Sequence, residues 1–183
     1  FSTDNNGTVI VLPGVDATGA VTVTGQLIFG IGTQTNNTLG SATIINSDTA
    51  GQFTTTWNGV TVSASFIDSG SNGLFFNDAT LTRCAASSGA SAFYCPTPSV
   101  TRTATLTSNT NAAETASVAL TINSATALLA AGSADYNALP GLAGQVGANS
   151  GFDFGLPFFY GRSVYTAIEN VSTPGGIGPY VAF

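Results

Sequence analysis

A mostly β fold is what this sequence predicts, and three features predict it. Short alternating or β-branched runs recur along the chain with turn residues between them. Asn58-Gly59, the strongest short hairpin signal in the chain, falls between two of those runs. Charged side chains make up only 7% of the residues, against about a quarter in ordinary soluble domains, so Ser, Thr, Asn and Gly must carry most of the solvation. Together these are the marks of a secreted β protein.

The expected strands follow in order. Residues 8–12 form a Val/Ile/Leu-rich run ending at Pro13, and 20–29 alternate Val with Thr before passing Gly25. A third run, 41–45, follows the polar loop 32–40. Runs 52–57 and 60–67 flank Asn58-Gly59 as the two arms of a hairpin. Runs 101–107 and 117–123 alternate Thr or Ser with apolar residues, and 164–168 and 180–183 close the chain. Helical patterns are short: 77–83 predicts one or two turns, and 133–139 another before Pro140. Residues 125–131 fit a helical turn or a strand extension equally. With no composition break and no fixed-period repeat, residues 1–183 read as one domain. The start at Phe1 and the absence of Met are expected of a processed or excised product.

Composition also excludes chemistry. The chain has no Lys and no His, and Arg83, Arg102 and Arg162 are scattered among nine acidic residues. Nucleic-acid binding needs a clustered basic footprint, which is missing. Without His there is no Ser-His-Asp triad, Cys-His pair or His-ligated zinc; no metal and no cofactor is expected, and any catalysis has to run on carboxylates. The net charge of −6 vanishes as carboxylates protonate, leaving little self-repulsion, so tolerance of acid is expected. Cys84 and Cys95 lack further metal-type ligands and read as a disulfide made in an oxidising compartment, with two free buried thiols as the alternative. No run is long and apolar enough to span a bilayer as a helix.

The best candidate for chemistry is Phe66-Ile67-Asp68-Ser69-Gly70-Ser71. An apolar strand delivers Asp68 into a tight turn, Gly70 permits that turn, and Ser69 and Ser71 offer hydroxyls to orient the carboxylate and favour its ionised form. An Asx turn closing a strand is the bland alternative, and for the motif alone it is the stronger one.

In this order the elements resemble the carboxy-terminal lobe of a pepsin-like aspartic peptidase. Such lobes carry apolar-apolar-Asp-[Ser/Thr]-Gly-[Ser/Thr], then a short helix (matched by 77–83), a small disulfide loop (Cys84 to Cys95), and further strands. Near their end an apolar-apolar-Gly strand crosses the aspartate loop, matched by Phe152-Asp153-Phe154-Gly155. More narrowly, the Phe-Ile-Asp-Ser-Gly-Ser-Asn and Gly-Leu-Pro-Phe-Phe-Tyr-Gly-Arg segments are similar to a bacterial family catalogued as domain of unknown function 3443, over nearly the whole chain. Asn72 departs from the pepsin-like pattern, which has Ser or Thr there, and Ser69 lacks the methyl of the commoner Thr.

The resemblance implies a single lobe of a pepsin-like β-barrel fold with a few short helices, the second half of a two-lobed exported protein. It implies Asp68 as one of two catalytic carboxylates, with Ser69, Gly70, Ser71 and Gly155 supporting its loop. The expected partners are an amino-terminal lobe of the same protein and a peptide or protein substrate, with a homodimer as the alternative assembly. Two carboxylates sharing one proton activate water without His. Asp153 is read as structural, flanking the crossing strand, so the second carboxylate has to come from outside this chain. Phe75, Phe76, Phe158, Phe159, Tyr160 and Tyr165 fit substrate subsites, but core packing is the stronger reading. Arg162 is expected in a structural ion pair. A catalytically silent peptide- or partner-binding module and a cell-surface β-module remain the rival classes. Both glycines, Gly70 and Gly155, end apolar segments, so Gly155 is expected beside the Asp68 turn.

Overall fold

In the computed structural model, which describes residues 1–130, 135–147 and 150–183, the alternating runs become strands. They are β1 (Gly7–Leu12), β2 (Gln26–Phe29), β3 (Ile44–Asn46), β4 (Phe53–Trp57), β5 (Val60–Ile67), β6 (Leu74–Phe75), β7 (Val100–Thr107) and β8 (Thr115–Ile122). After helix α1 (Ala125–Leu128) come β9 (Ala143–Gly144) and β10 (Asp153–Phe154). Helix α2 (Leu156–Phe159) then leads to β11 (Arg162–Ala167), β12 (Ser172–Thr173), β13 (Gly176–Ile177) and β14 (Tyr180–Ala182). One sheet runs β2-β1-β11-β14-β3 and is antiparallel throughout. The other runs β8-β7-β4-β5-β10-β6-β9 and curls into a nearly closed barrel. The fold is mostly β.

Asn58 and Gly59 take φ of 49° and 77°, the left-handed pair that lets a two-residue turn match strand twist, and Trp57 faces Val60 across it. Alternation decides which face is buried. Ala116, Val118, Leu120 and Ile122 of β8 point inward, with Ala104 and Leu106 of β7 and Phe53 and Trp57 of β4. They meet Ile45, Val164 and Val181 from the five-stranded sheet in one core. An aromatic column fills its centre: Phe76 stacks on Phe152 at 4.5 Å, Phe152 on Phe154 at 4.3 Å, and Phe158 meets Phe154 edge-on at 5.3 Å.

The helical expectations need correcting. Residues 77–83 form turns, because Asp78 binds its own local backbone: its carboxylate accepts Thr80 N–H at 2.9 Å and Thr80 Oγ1–H at 2.6 Å. Side-chain bonds of this kind compete with a helix. Of 133–139, Ser133 and Ala134 lie outside the described residues; the remainder is not helical, and Ala138 bridges Ala20 instead. Residues 125–128 are helical, while Ala131 lies outside the described residues. Within the run 20–29 the pairing with β1 begins only at Gln26, Gly25 passing so close to the Val11 carbonyl that a Cβ would lie 2.3 Å away.

Cys84 and Cys95 are bonded. The chain between them folds back on itself, with Cys84 N–H on Phe93 O and Cys95 N–H on Thr82 O, and this sets Tyr94 in the core. The Tyr94 hydroxyl donates to Phe76 O at 2.8 Å and accepts Asp78 N–H at 2.9 Å, so the loop braces the segment that follows β6. Replacing both cysteines by alanine is expected to lower stability by about 2–3 kcal/mol, the closure entropy of so short a loop. Urea denaturation of the double variant checks this; an unchanged midpoint would mean that the backbone bonds alone hold the loop.

Candidate active site

Asp68 stands immediately after β5, and the strand bends just before reaching it. Ala64 takes φ of 60° at a bulge where the pairing with β4 shifts register between Phe53 and Thr55. Beyond the bulge β5 leaves β4 and pairs with β10 in parallel, Phe66 opposite Asp153 and Ile67 opposite Phe154. The Asp68 N–H donates to Phe154 O at 3.1 Å. Gly70 N–H donates to Asp68 Oδ1 at 2.7 Å, closing an Asx turn, and Ser71 Oγ lies 3.1 Å from Asp68 Oδ2. Both oxygens of the half-buried carboxylate are thus held. Ser69 is exposed and its side chain makes no hydrogen bond among the described residues, so of the two hydroxyls it is Ser71 that orients Asp68.

Gly155 lies against this turn, as the two glycines led one to expect. Leu156 N–H donates to Ser71 O at 2.7 Å, and β10 is threaded between β5 and β6, which flank it on either side. Glycine is required there by proximity, since its φ of −72° suits any residue. A Cβ would lie 2.0 Å from Gly73 O and 2.7 Å from Ser71 O. Gly155→Ala is therefore expected to push β10 off the Asp68 turn at a cost of about 3 kcal/mol. Thermal unfolding measures the loss, and a wild-type melting temperature would disprove the close crossing.

Asp153 departs most from expectation. Instead of flanking the crossing strand it is on it, 7% exposed, with Oδ2 2.6 Å from Ser71 Oγ. Its Oδ1 is buried with no hydrogen-bond partner among the described residues. Burial pushes its pKa up to about 6; the Ser71 bond opposes this and the nearby Asp68 charge adds to it. The native state therefore holds this proton more tightly than the unfolded chain between the ordinary value of 3.8 and about 6. Stability is expected to fall by about 2–3 kcal/mol as pH rises through that window, and D153N, uncharged throughout, is expected to flatten the profile. Denaturation midpoints taken across the window test the sign.

In the sequence, the available signal for Asp153 is a carboxylate between two phenylalanines, two residues before a glycine. Arg162 also needs correcting. It makes no ion pair among the described residues; its guanidinium donates to Phe158 O at 2.6 Å and lies 4.9 Å from the Phe158 ring centre. Burial lowers its pKa. Phe76, Phe158, Phe159, Tyr160 and Tyr165 are buried, and Phe75 is half-buried against Phe93, so packing takes these rings.

Asp68 opens on a groove of about 440 Å³ whose walls include Phe66, Ile67, Thr166, Glu169 and Val181. A larger hollow of about 770 Å³ lies between α1 and residues 96–99, and no described residue lining it carries a carboxylate. No cluster of three or more metal-type ligands occurs among the described residues. None of their helices is long and apolar enough to cross a membrane.

No curated protein and no solved structure matches this sequence. A family model does, over residues 1–183, and by that match the chain belongs to the family described as protein of unknown function DUF3443.

Proposed function

We propose that this chain is one lobe of an exported aspartic endopeptidase, with Asp68 as one of two carboxylates that activate water for peptide hydrolysis. The observation that carries the reading is the Asp68 turn itself: a carboxylate held at both oxygens, half-buried, at the mouth of a groove and backed by a strand crossing at Gly155. One carboxylate takes a proton from water while its partner, protonated, polarises the scissile carbonyl. Asp153 does not serve as that partner, because it is buried behind Ser71 and cannot touch substrate. The second carboxylate is assigned to an amino-terminal lobe of the same protein. The Cys84–Cys95 bond is compatible with export.

The isolated chain is expected to leave peptides intact, since on this reading it supplies one of the two catalytic carboxylates, and one cannot be base and acid in the same step. A peptide-library digest from acid to neutral pH, with and without pepstatin, compares it with the two-lobed protein. Pepstatin-sensitive cleavage by the two-lobed protein alone supports the reading. Cleavage by the isolated chain would point to a homodimer that brings two copies of Asp68 together. An inactive two-lobed protein would favour a peptide-binding module instead.

A further inference from the structure

Ser71 has one hydroxyl proton and two carboxylates to serve. Its Oγ lies 2.6 Å from Asp153 Oδ2 and 3.1 Å from Asp68 Oδ2. A hydroxyl donates one bond and accepts others, so with both acids ionised one carboxylate goes without. With Asp153 protonated the conflict disappears: Asp153 donates to Ser71 Oγ, and Ser71 donates to Asp68. We propose that Asp153 is a positioning residue acting through Ser71, so that the hydroxyl supports Asp68 only while Asp153 carries a proton.

The surroundings give Asp153 no other means of settling its charge. Of the elements packed against β10, β5 is followed at once by Asp68, whereas β4, β6 and α2 carry no titratable group. Beyond β6, Asp78 is bound to Trp57, Thr80 and Arg102; beyond α2, Arg162 is turned to Phe158. No cation among the described residues reaches Asp153, one of its oxygens has no partner, and burial already favours its neutral form. When the proton leaves to solvent, Ser71 turns its hydrogen to the nearer Asp153 Oδ2 and Asp68 Oδ2 loses its bond. No atom besides that proton is exchanged. Asp68 keeps the Gly70 N–H on its other oxygen but is free to rotate about it.

The consequence for hydrolysis rests on the peptidase reading; the relay itself does not. Carboxyl-¹³C NMR of the chain, with the Asp68 signal assigned from D68N, reads the relay without any activity. The wild-type Asp68 signal is expected to move as Asp153 titrates near pH 6. D153N, whose amide donates to Ser71 Oγ at every pH, should lose that step. S71A should lose it from Asp68 while Asp153 still titrates, and S71T, which keeps the hydroxyl, should restore it. A wild-type Asp68 signal with no step near pH 6, or the same step in D153N or S71A, overturns the proposal; should S71A fail to fold, S71C, whose thiol is a weak donor, takes its place, because the direct charge of Asp153 on Asp68 persists there and is lost in D153N. An inactive two-lobed protein that still shows the coupled titration would remove the peptidase reading and leave the relay standing.

Discussion

Asp68→Asn in the two-lobed protein is expected to lower kcat/KM for peptide hydrolysis by about 10²–10⁴-fold while leaving the fold intact. The amide cannot take a proton from water at any accessible pH, so the base is lost outright. Its geometry is nevertheless conserved: the carbonyl oxygen still accepts Gly70 N–H, and the NH₂ donates to Ser71 Oγ in place of accepting from it. Steady-state kinetics beside a denaturation curve separates the two effects. Retained activity in D68N would remove Asp68 from the chemistry, and a large drop in stability would recast the turn as structural.

Asp78→Ala is expected to cost about 3–5 kcal/mol, the penalty for removing one member of a buried ion pair. Asp78 is 6% exposed and gathers Trp57 Nε1–H at 2.8 Å, Thr80 and the Arg102 guanidinium. Alanine leaves the indole N–H of an almost fully buried Trp57 and a cation without partners. Asp78→Asn keeps an acceptor but no charge, so it is expected to fall between alanine and wild type, and urea denaturation at neutral pH ranks the three. Burial pushes the Asp78 pKa up, but the bonds from Thr80 and Trp57 and the charge of Arg102 outweigh it and hold it below 3.8. Its contribution is therefore present above that value and lost as pH falls below it, the reverse of Asp153. Between them the two groups place the stability maximum near the ordinary carboxylate value of 3.8, above which the Asp153 contribution declines and below which the Asp78 contribution does.

Legibility in the sequence followed the length over which a signal repeats. Strands β4, β5, β7 and β8 have five to eight residues and alternate, so each carries its own statement of which face is buried. Asn58-Gly59 fixed its hairpin by backbone preference alone, and the two cysteines, without further metal-type ligands, pointed to the disulfide that they form. By contrast β6, β9 and β10 are two residues each, too short to show a period, and exist because neighbouring strands offer free backbone groups. The 77–83 segment looked helical because nothing local revealed that Trp57 and Arg102, at separations of 21 and 24 residues on either side, would converge on Asp78.

The same division runs through the site. The sequence by itself determined Asp68 in a glycine turn at the end of an apolar strand, because strand, turn and hydroxyl are all local. It also determined that Gly155 would meet that turn, since two glycines ending apolar segments permit close backbone approach. Only the tertiary structure decided that β10 inserts between β5 and β6 and carries Asp153 to within 2.6 Å of Ser71 across 82 positions of chain. Burial, and with it the proton affinity of a carboxyl, depends on what other segments pack over it; no local pattern around Asp153 records that Ser71 and Asp68 come to face it.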